Sequence, residues 1–172
     1  EGGFKIKVLP CLSDNFCYYV YDDDSTFSGI IIDAGESQSL VFTKCRYQTI
    51  SNFINSLTLD HAGGNSDIKN LFPDVQIYGG IDDKVSECTH PVHEGDVIEL
   101  GNFKIRVIHT PCHTVGHVCF FIDYCEEELK FHKSIVNGIV NITNLDKAVF
   151  TGDTLFNGGC GKFFEGTALE MS

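Results

Sequence analysis

Polar and apolar residues alternate near the start of the chain. Phe4, Ile6 and Val8 fall on one face and Lys5, Lys7 and Leu9 on the other, the period of a β-strand. Residues 16–21 and 29–33 predict two more strands, the second continuously apolar at Ile30-Ile31-Ile32, as expected of a strand covered on both faces. Further strands are predicted at 75–78, 97–100, 103–108, 117–123 and 148–151, with Gly101-Asn102 as a hairpin turn. Residues 124–147 predict an inserted hairpin or loop, with Asn137-Gly138 as its turn between Ser134-Ile135-Val136 and Ile139-Val140. Two helices are predicted. One spans 39–55 on the apolar positions Val41, Phe42, Cys45, Ile50, Phe53 and Ile54; the other spans 65–72 and is stopped by Pro73. Thr167-Ala168-Leu169-Glu170 fits a capping box and announces a further helix, the expectation being that the chain is a piece of a longer one. Strands dominate with helices between them, which predicts a single α/β domain of sheet packed on sheet with helices outside.

Composition narrows the function. With 42% hydrophobic and 21% charged residues among 172, the chain reads as globular rather than disordered. A formal charge of −12 argues against a nucleic-acid binder, which needs clustered Lys and Arg. The acidic runs Asp22-Asp23-Asp24 and Glu126-Glu127-Glu128 read as solvated loops. No apolar run approaches the roughly 18 residues of a membrane span. None of the eight cysteines forms a CxxC pair, and several sit in strand-like apolar runs, so reduced thiols and a cytoplasmic or mitochondrial protein are expected.

Three stretches carry candidate chemistry. Asp60-His61-Ala62-Gly63-Gly64 sets a carboxylate beside an imidazole at a Gly-rich turn. Thr110-Pro111-Cys112-His113 places His113 where a strand gives way to a loop, and Phe150-Thr151-Gly152-Asp153 ends an apolar strand on a single Asp. Taken singly, these are a surface hydrogen bond, a satisfied polar residue and a turn residue; their strand-end contexts together suggest one polar site. His117 reads as a structural or supporting residue, Asp33 as a supporting or turn residue, and His90 with His93 as a solvated loop. Cys112 and Cys160 adjoin the candidate site without a paired base.

At this point the chain resembles a known family. Val8-Leu9-Pro10-Cys11-Leu12-Ser13-Asp14-Asn15-Phe16, Ile77-Tyr78-Gly79-Gly80 with Asp82-Asp83, and the long run from Phe150 through Gly159-Cys160-Gly161-Lys162 to Glu165-Gly166-Thr167-Ala168 are similar to glyoxalase II (hydroxyacylglutathione hydrolase), of the metallo-β-lactamase superfamily. The resemblance implies a four-layer αββα sandwich and hydrolysis of a glutathione thioester, S-lactoylglutathione to D-lactate and glutathione, by metal-activated water. It implies zinc, with iron or manganese as alternatives, and two ions in the family. It assigns Asp60 and His61 to one metal, His113 to the other, and Asp153 as the bridge, which makes Asp60 and Asp153 the expected catalytic carboxylates. Lys162 and Phe164 are the expected glutathione contacts, and a monomer without nucleic-acid or membrane partners is expected.

The chain also departs from that family. Its metal motif, Thr-His-x-His-x-Asp-His, appears here as Thr58-Leu59-Asp60-His61, without the two spaced histidines. The last metal-binding histidine and the helical substrate domain have no counterpart before Ser172, and Phe164 stands where a Tyr is common. The remaining ligands predict one loosely held ion or none, with poor turnover. A non-catalytic binding module or splice product, and a one-iron persulfide dioxygenase-like enzyme, are the rival readings.

Overall fold

In a computed structural model, residues 3–22, 29–36, 50–124, 132–136 and 139–171 are described. They form twelve strands and two short helices: β1 (Phe4–Cys11), β2 (Asn15–Asp22), β3 (Gly29–Ile32), β4 (Ile50–Ile54), α1 (Leu59–Ala62), α2 (Asn65–Leu71), β5 (Gln76–Gly80), β6 (His90–Val92), β7 (Val97–Leu100), β8 (Phe103–His109), β9 (Val118–Tyr124), β10 (His132–Val136), β11 (Ile139–Leu145) and β12 (Lys147–Phe150), then a 3₁₀ turn at Gly152–Thr154. Eight strands make one sheet in the order β10-β11-β1-β2-β3-β4-β5-β6, and four make a second in the order β12-β9-β8-β7.

The period-2 rule explains why both faces of the large sheet are apolar. On β3, Ile30 and Ile32 join the core between the sheets, while Ile31 joins a second core on the opposite face. β1 follows the same rule: Phe4 and Ile6 face the first core, Leu9 and Cys11 the second. The second core is closed by α1 and α2 through Ala62 and Ile68. On β8 only one face is apolar, with Phe103, Ile105 and Val107 inward and Lys104 and Arg106 in solvent.

The predicted helix at 39–55 is corrected at its end. Residues 39–49 lie outside the described residues, and Ile50–Ile54 is a strand pairing in parallel with β3 and β5. Phe53 packs in one core and Ile54 in the other, while Asn52 is buried against Asn65. A strand buried on both faces shows no clean alternation, so its apolar spacing imitated a helix. His90–Val92, read as loop, is an edge strand beside β5; an edge tolerates Pro91 because the missing N–H faces outward. The inserted hairpin is present as β10 and β11, paired Val136 to Ile139, and it extends the large sheet through β1. Its turn residues, Asn137 and Gly138, lie outside the described residues.

β3, β4, β5 and β6 run parallel. Their carboxyl ends therefore open on one rim of the sandwich, where α/β sheets place ligands. Asp33 follows β3, Asn55 to His61 follow β4, and Asp83 follows β5.

Candidate metal centre

Three loops of the large sheet meet two loops of the small sheet at this rim. His61 Nε2 lies 3.3 Å from Asp153 Oδ2 and 3.7 Å from Asp60 Oδ2. On the other side of the same oxygen, His113 Nε2 lies 2.8 Å from Asp153 Oδ2. The structure thus brings together all four expected ligands from positions up to 93 residues apart (60 to 153), with the Asp153 carboxylate between the two imidazoles.

Each imidazole is held from behind. His61 Nδ1 is 3.0 Å from Asp33 Oδ2, and His113 Nδ1 donates to the Lys162 carbonyl at 2.9 Å. A His whose far nitrogen meets a carboxylate or carbonyl presents the near one as a ligand in a fixed orientation. Asp33 reaches His61 from a left-handed backbone (φ 54°), unusual for a residue with a side chain, and its Oδ1 accepts the Asn55 N–H at 2.8 Å. Asn15 Nδ2 donates to Asp60 Oδ2 at 2.8 Å. The Asp33 loop approaches so closely that a Cβ on Gly35 would stand 2.1 Å from the Asp60 carbonyl oxygen.

Two further buried residues tie the loops. Asp83 accepts from Leu57 N (2.9 Å), Thr114 Oγ1 (2.8 Å) and Gly116 N (2.8 Å), joining the loop before α1 to the His113 loop. Asn55 donates from Nδ2 to the carbonyls of Val118 and Phe150, linking the large sheet to β9 and β12. The Cys160–Thr167 segment is strapped over His113: Gly166 N donates to the Cys112 carbonyl at 2.8 Å and Val115 N to Glu165 Oε2 at 2.7 Å. Gly161 sits against both Asp153 and His113, where a Cβ would fall 2.6 Å from Asp153 Cβ and 2.8 Å from His113 Nδ1.

The electrostatics follow from this packing. Burial opposes charge on His61, but Asp33 and the hydrogen-bonded Asp153 outweigh it and raise its pKa to about 11. Burial likewise opposes charge on Asp153, yet the hydrogen bond from His61 and the charges of His61 and His113 hold it low. Asp60 is held low against its partial burial by hydrogen bonds from Thr58 and Asn15 and by His61. The protonated His61 therefore stands beside three carboxylates, those of Asp33, Asp60 and Asp153.

His117 behaves differently. It is fully buried, and burial with the neighbouring His61 charge pushes its pKa down to about 4. Its Nε2 accepts the Asp153 N–H at 3.2 Å, so the proton sits on Nδ1, 2.8 Å from Thr110 Oγ1. It holds the backbone of Asp153.

The remaining sequence candidates separate cleanly. Phe164 packs its ring 5.1 Å from the His113 ring, and Lys162 Nζ lies 4.8 Å from the Phe164 centroid, so both border the site. His93 is exposed and pairs with Asp96, while His90 is exposed on β6 beside the Tyr78 ring. His109 Nε2 meets the Val115 carbonyl. Cys112 is buried and Cys160 exposed. Asn15, Asn55 and Asp83 were not singled out individually in the sequence; for Asp83 the available signal was the Gly79-Gly80 turn followed by paired acids.

The donor set fits one cation. Asp60, His61 and Asp153 offer one atom each, all within 4.8 Å of one another, and this is the only such group among the described residues. Edges of about 3.4 Å are expected for tetrahedral zinc with ligand bonds near 2.1 Å, and two of the three lie close to that. His113 Nε2 approaches the same Asp153 oxygen but is not a member of that three-residue group.

These features, two stacked sheets with an Asp/His cluster at the rim, define a metallo-β-lactamase-type fold. The BLEG-1 B3 metallo-β-lactamase aligns with a TM-score of 0.67 at 18% identity, over 96% of this chain and 81% of that one. ETHE1 from Myxococcus xanthus aligns at 0.66 and 18%, over 96% and 64%. No protein-family profile matches. The chain is 41% identical over 172 aligned residues to the cytoplasmic hydroxyacylglutathione hydrolase of Arabidopsis thaliana, covering 97% of this chain and 59% of that protein. It is 33% identical to a probable hydroxyacylglutathione hydrolase of Schizosaccharomyces pombe, over 98% and 60%. A hydroxyacylglutathione hydrolase-like protein of Gallus gallus is 33% identical over 97% and 54%. The chain is thus similar over nearly its whole length to proteins named hydroxyacylglutathione hydrolase, the glyoxalase II family, and spans about three-fifths of the length of these relatives or less.

Proposed function

We propose that this chain forms the metal-binding core of a glutathione thioester hydrolase acting on S-lactoylglutathione. The observation that carries the reading is the convergence of Asp60, His61 and Asp153 on one point, with His113 across the same carboxylate, in a chain 41% identical to a protein named for that activity.

A divalent ion, zinc by preference for this nitrogen and carboxylate set, would be held by Asp60, His61 and Asp153 and would supply Lewis acidity and a water acidified toward neutrality. The chain's own residues do the rest. Asp33 and the Lys162 carbonyl fix the two imidazoles, Asn15 aims Asp60, and His117 holds the Asp153 main chain. Lys162 supplies a cation and Phe164 an apolar ring on the His113 side, suited to an anionic peptide-like thiol such as glutathione. Phe keeps the ring without a hydroxyl donor. In the reaction, water oxygen bonds to the carbonyl carbon and the carbon–sulfur bond breaks. The thiolate leaves readily because its conjugate acid has a pKa near 8.5, and the carboxylic product loses a proton.

The test is zinc titration followed by calorimetry and by loss of the lactoylglutathione thioester. One zinc per chain and slow turnover abolished by Asp153→Asn are expected. Two tightly held ions, or zinc binding indifferent to Asp153→Asn, would overturn the one-cation reading; zinc binding without turnover would favour a non-catalytic module.

A further inference from the structure

A cavity of about 740 Å³ opens from the site into the space between the sheets. Asp33, His61 and Asp153 line it at the site, and Asp14, Asn15 and Lys147 are further polar side chains of the same lining. Ile6 and Val8 of β1 line one wall and Ala148 and Phe150 of β12 the other. Leu155 and Phe156, 62% and 47% exposed, stand at its lining beyond the 3₁₀ turn. His113, Lys162 and Phe164 take no part in it.

Asp153 therefore divides two unlike environments. One side has His113, Lys162 and Phe164, a polar-cationic rim; the other leads into apolar walls. A thioester carbonyl has two arms, and these environments sort them: the charged thiol arm to the rim, the acyl arm to the cavity. A three-carbon hydroxyacyl group would occupy little of this volume and leave apolar walls wet. A longer hydrocarbon chain would displace that water and gain its burial free energy.

We infer that this centre takes thioesters with long apolar acyl groups, the acyl chain lying between the sheets against Ile6, Val8, Ala148 and Phe150. The inference rests on the thioester-hydrolase reading for the identity of the ligand, and on the cavity for its length and polarity.

The experiment measures binding of non-hydrolysable S-methyl-, S-butyl- and S-octylglutathione to the zinc-loaded chain by calorimetry, alongside turnover of S-lactoylglutathione. Affinity is expected to rise by up to about fourfold for each methylene added. Ala148→Phe, filling the cavity from β12, should flatten that series; Val8→Phe, from the opposite wall, serves the same end if the first variant fails to fold. A flat series in the parent chain, or a slope surviving in both folded variants, overturns the inference. So does sedimentation showing a dimer that Ala148→Phe dissociates, which would make the cavity an interface between copies. Turnover with a flat series leaves the hydrolase reading standing and removes this one; a steep series without turnover of any thioester does the reverse.

Discussion

Replacing Asp83 with Ala tests whether the site is held by loops rather than by its ligands. Asp83 is 5% exposed and accepts three hydrogen bonds, from Leu57 N, Thr114 Oγ1 and Gly116 N. Hydrogen bonds to a charged acceptor contribute about 1.5–3 kcal/mol each, and their loss strands two backbone donors. Allowing for water entering beside exposed Leu57, the variant should lose about 4 kcal/mol, a large share of the 5–15 kcal/mol typical of a domain. With a urea slope of about 2 kcal/mol/M, the midpoint should fall by about 2 M. Asp83→Asn keeps one acceptor oxygen and opposes an NH₂ to a donor, so it should lose about half as much. Asp82→Ala, at the exposed neighbour, should stay within about 0.5 kcal/mol. Because Asp83 joins the loop leading to Asp60 and His61 to the loop of His113, zinc affinity should also drop by about 10–100-fold. The assay is urea unfolding followed by circular dichroism, with zinc calorimetry on the folded variants. A midpoint for Asp83→Ala within about 0.3 M of the parent would refute the reasoning.

Three other outcomes follow from the geometry. Gly161→Ala places a Cβ against Asp153 and His113 and should weaken zinc binding at least about tenfold, read by competition with a chromophoric chelator; unchanged affinity would show that the strap yields freely. The metal-free chain should be most stable near pH 6.5. Below it, His117 stays neutral when folded, with its pKa near 4 against about 6.5 unfolded, so acidification favours the unfolded chain by up to about 3 kcal/mol across that window. Above it, the raised pKa of His61, about 11, means its stabilising protonation is lost progressively as pH climbs. Urea midpoints that do not fall between pH 6.5 and 4.5 would count against the His117 assignment. Zinc at about a hundred times its dissociation constant should add about 2.7 kcal/mol of stability, and Asp153→Asn should remove that gain, checked by thermal melts with and without chelator.

The sequence alone determined most strands, and its resemblance to glyoxalase II pointed to the four residues that meet at the rim. Strands such as Phe4–Cys11 and Phe103–His109 announce themselves because local alternation is written into consecutive residues. The stretch Ile50–Ile54 did not, since covering both faces erased the alternation, and tertiary burial set its state. Asp60, His61, His113 and Asp153 are Asp or His at strand ends and turns, and only the family resemblance joined them into one ligand set, because such residues are common in loops. Asp83, Asn55 and Asn15 carry no such mark: an Asp or Asn is ordinary in any loop, and only the fold shows which backbone N–H or carbonyl it meets. The protonation of His61 and the neutrality of His117 likewise belong to the tertiary structure. Two identical imidazoles, both buried, titrate on opposite sides of the ordinary value because the Asp33 and Asp153 carboxylates crowd one, while burial dominates the other and its near nitrogen is engaged by a backbone N–H.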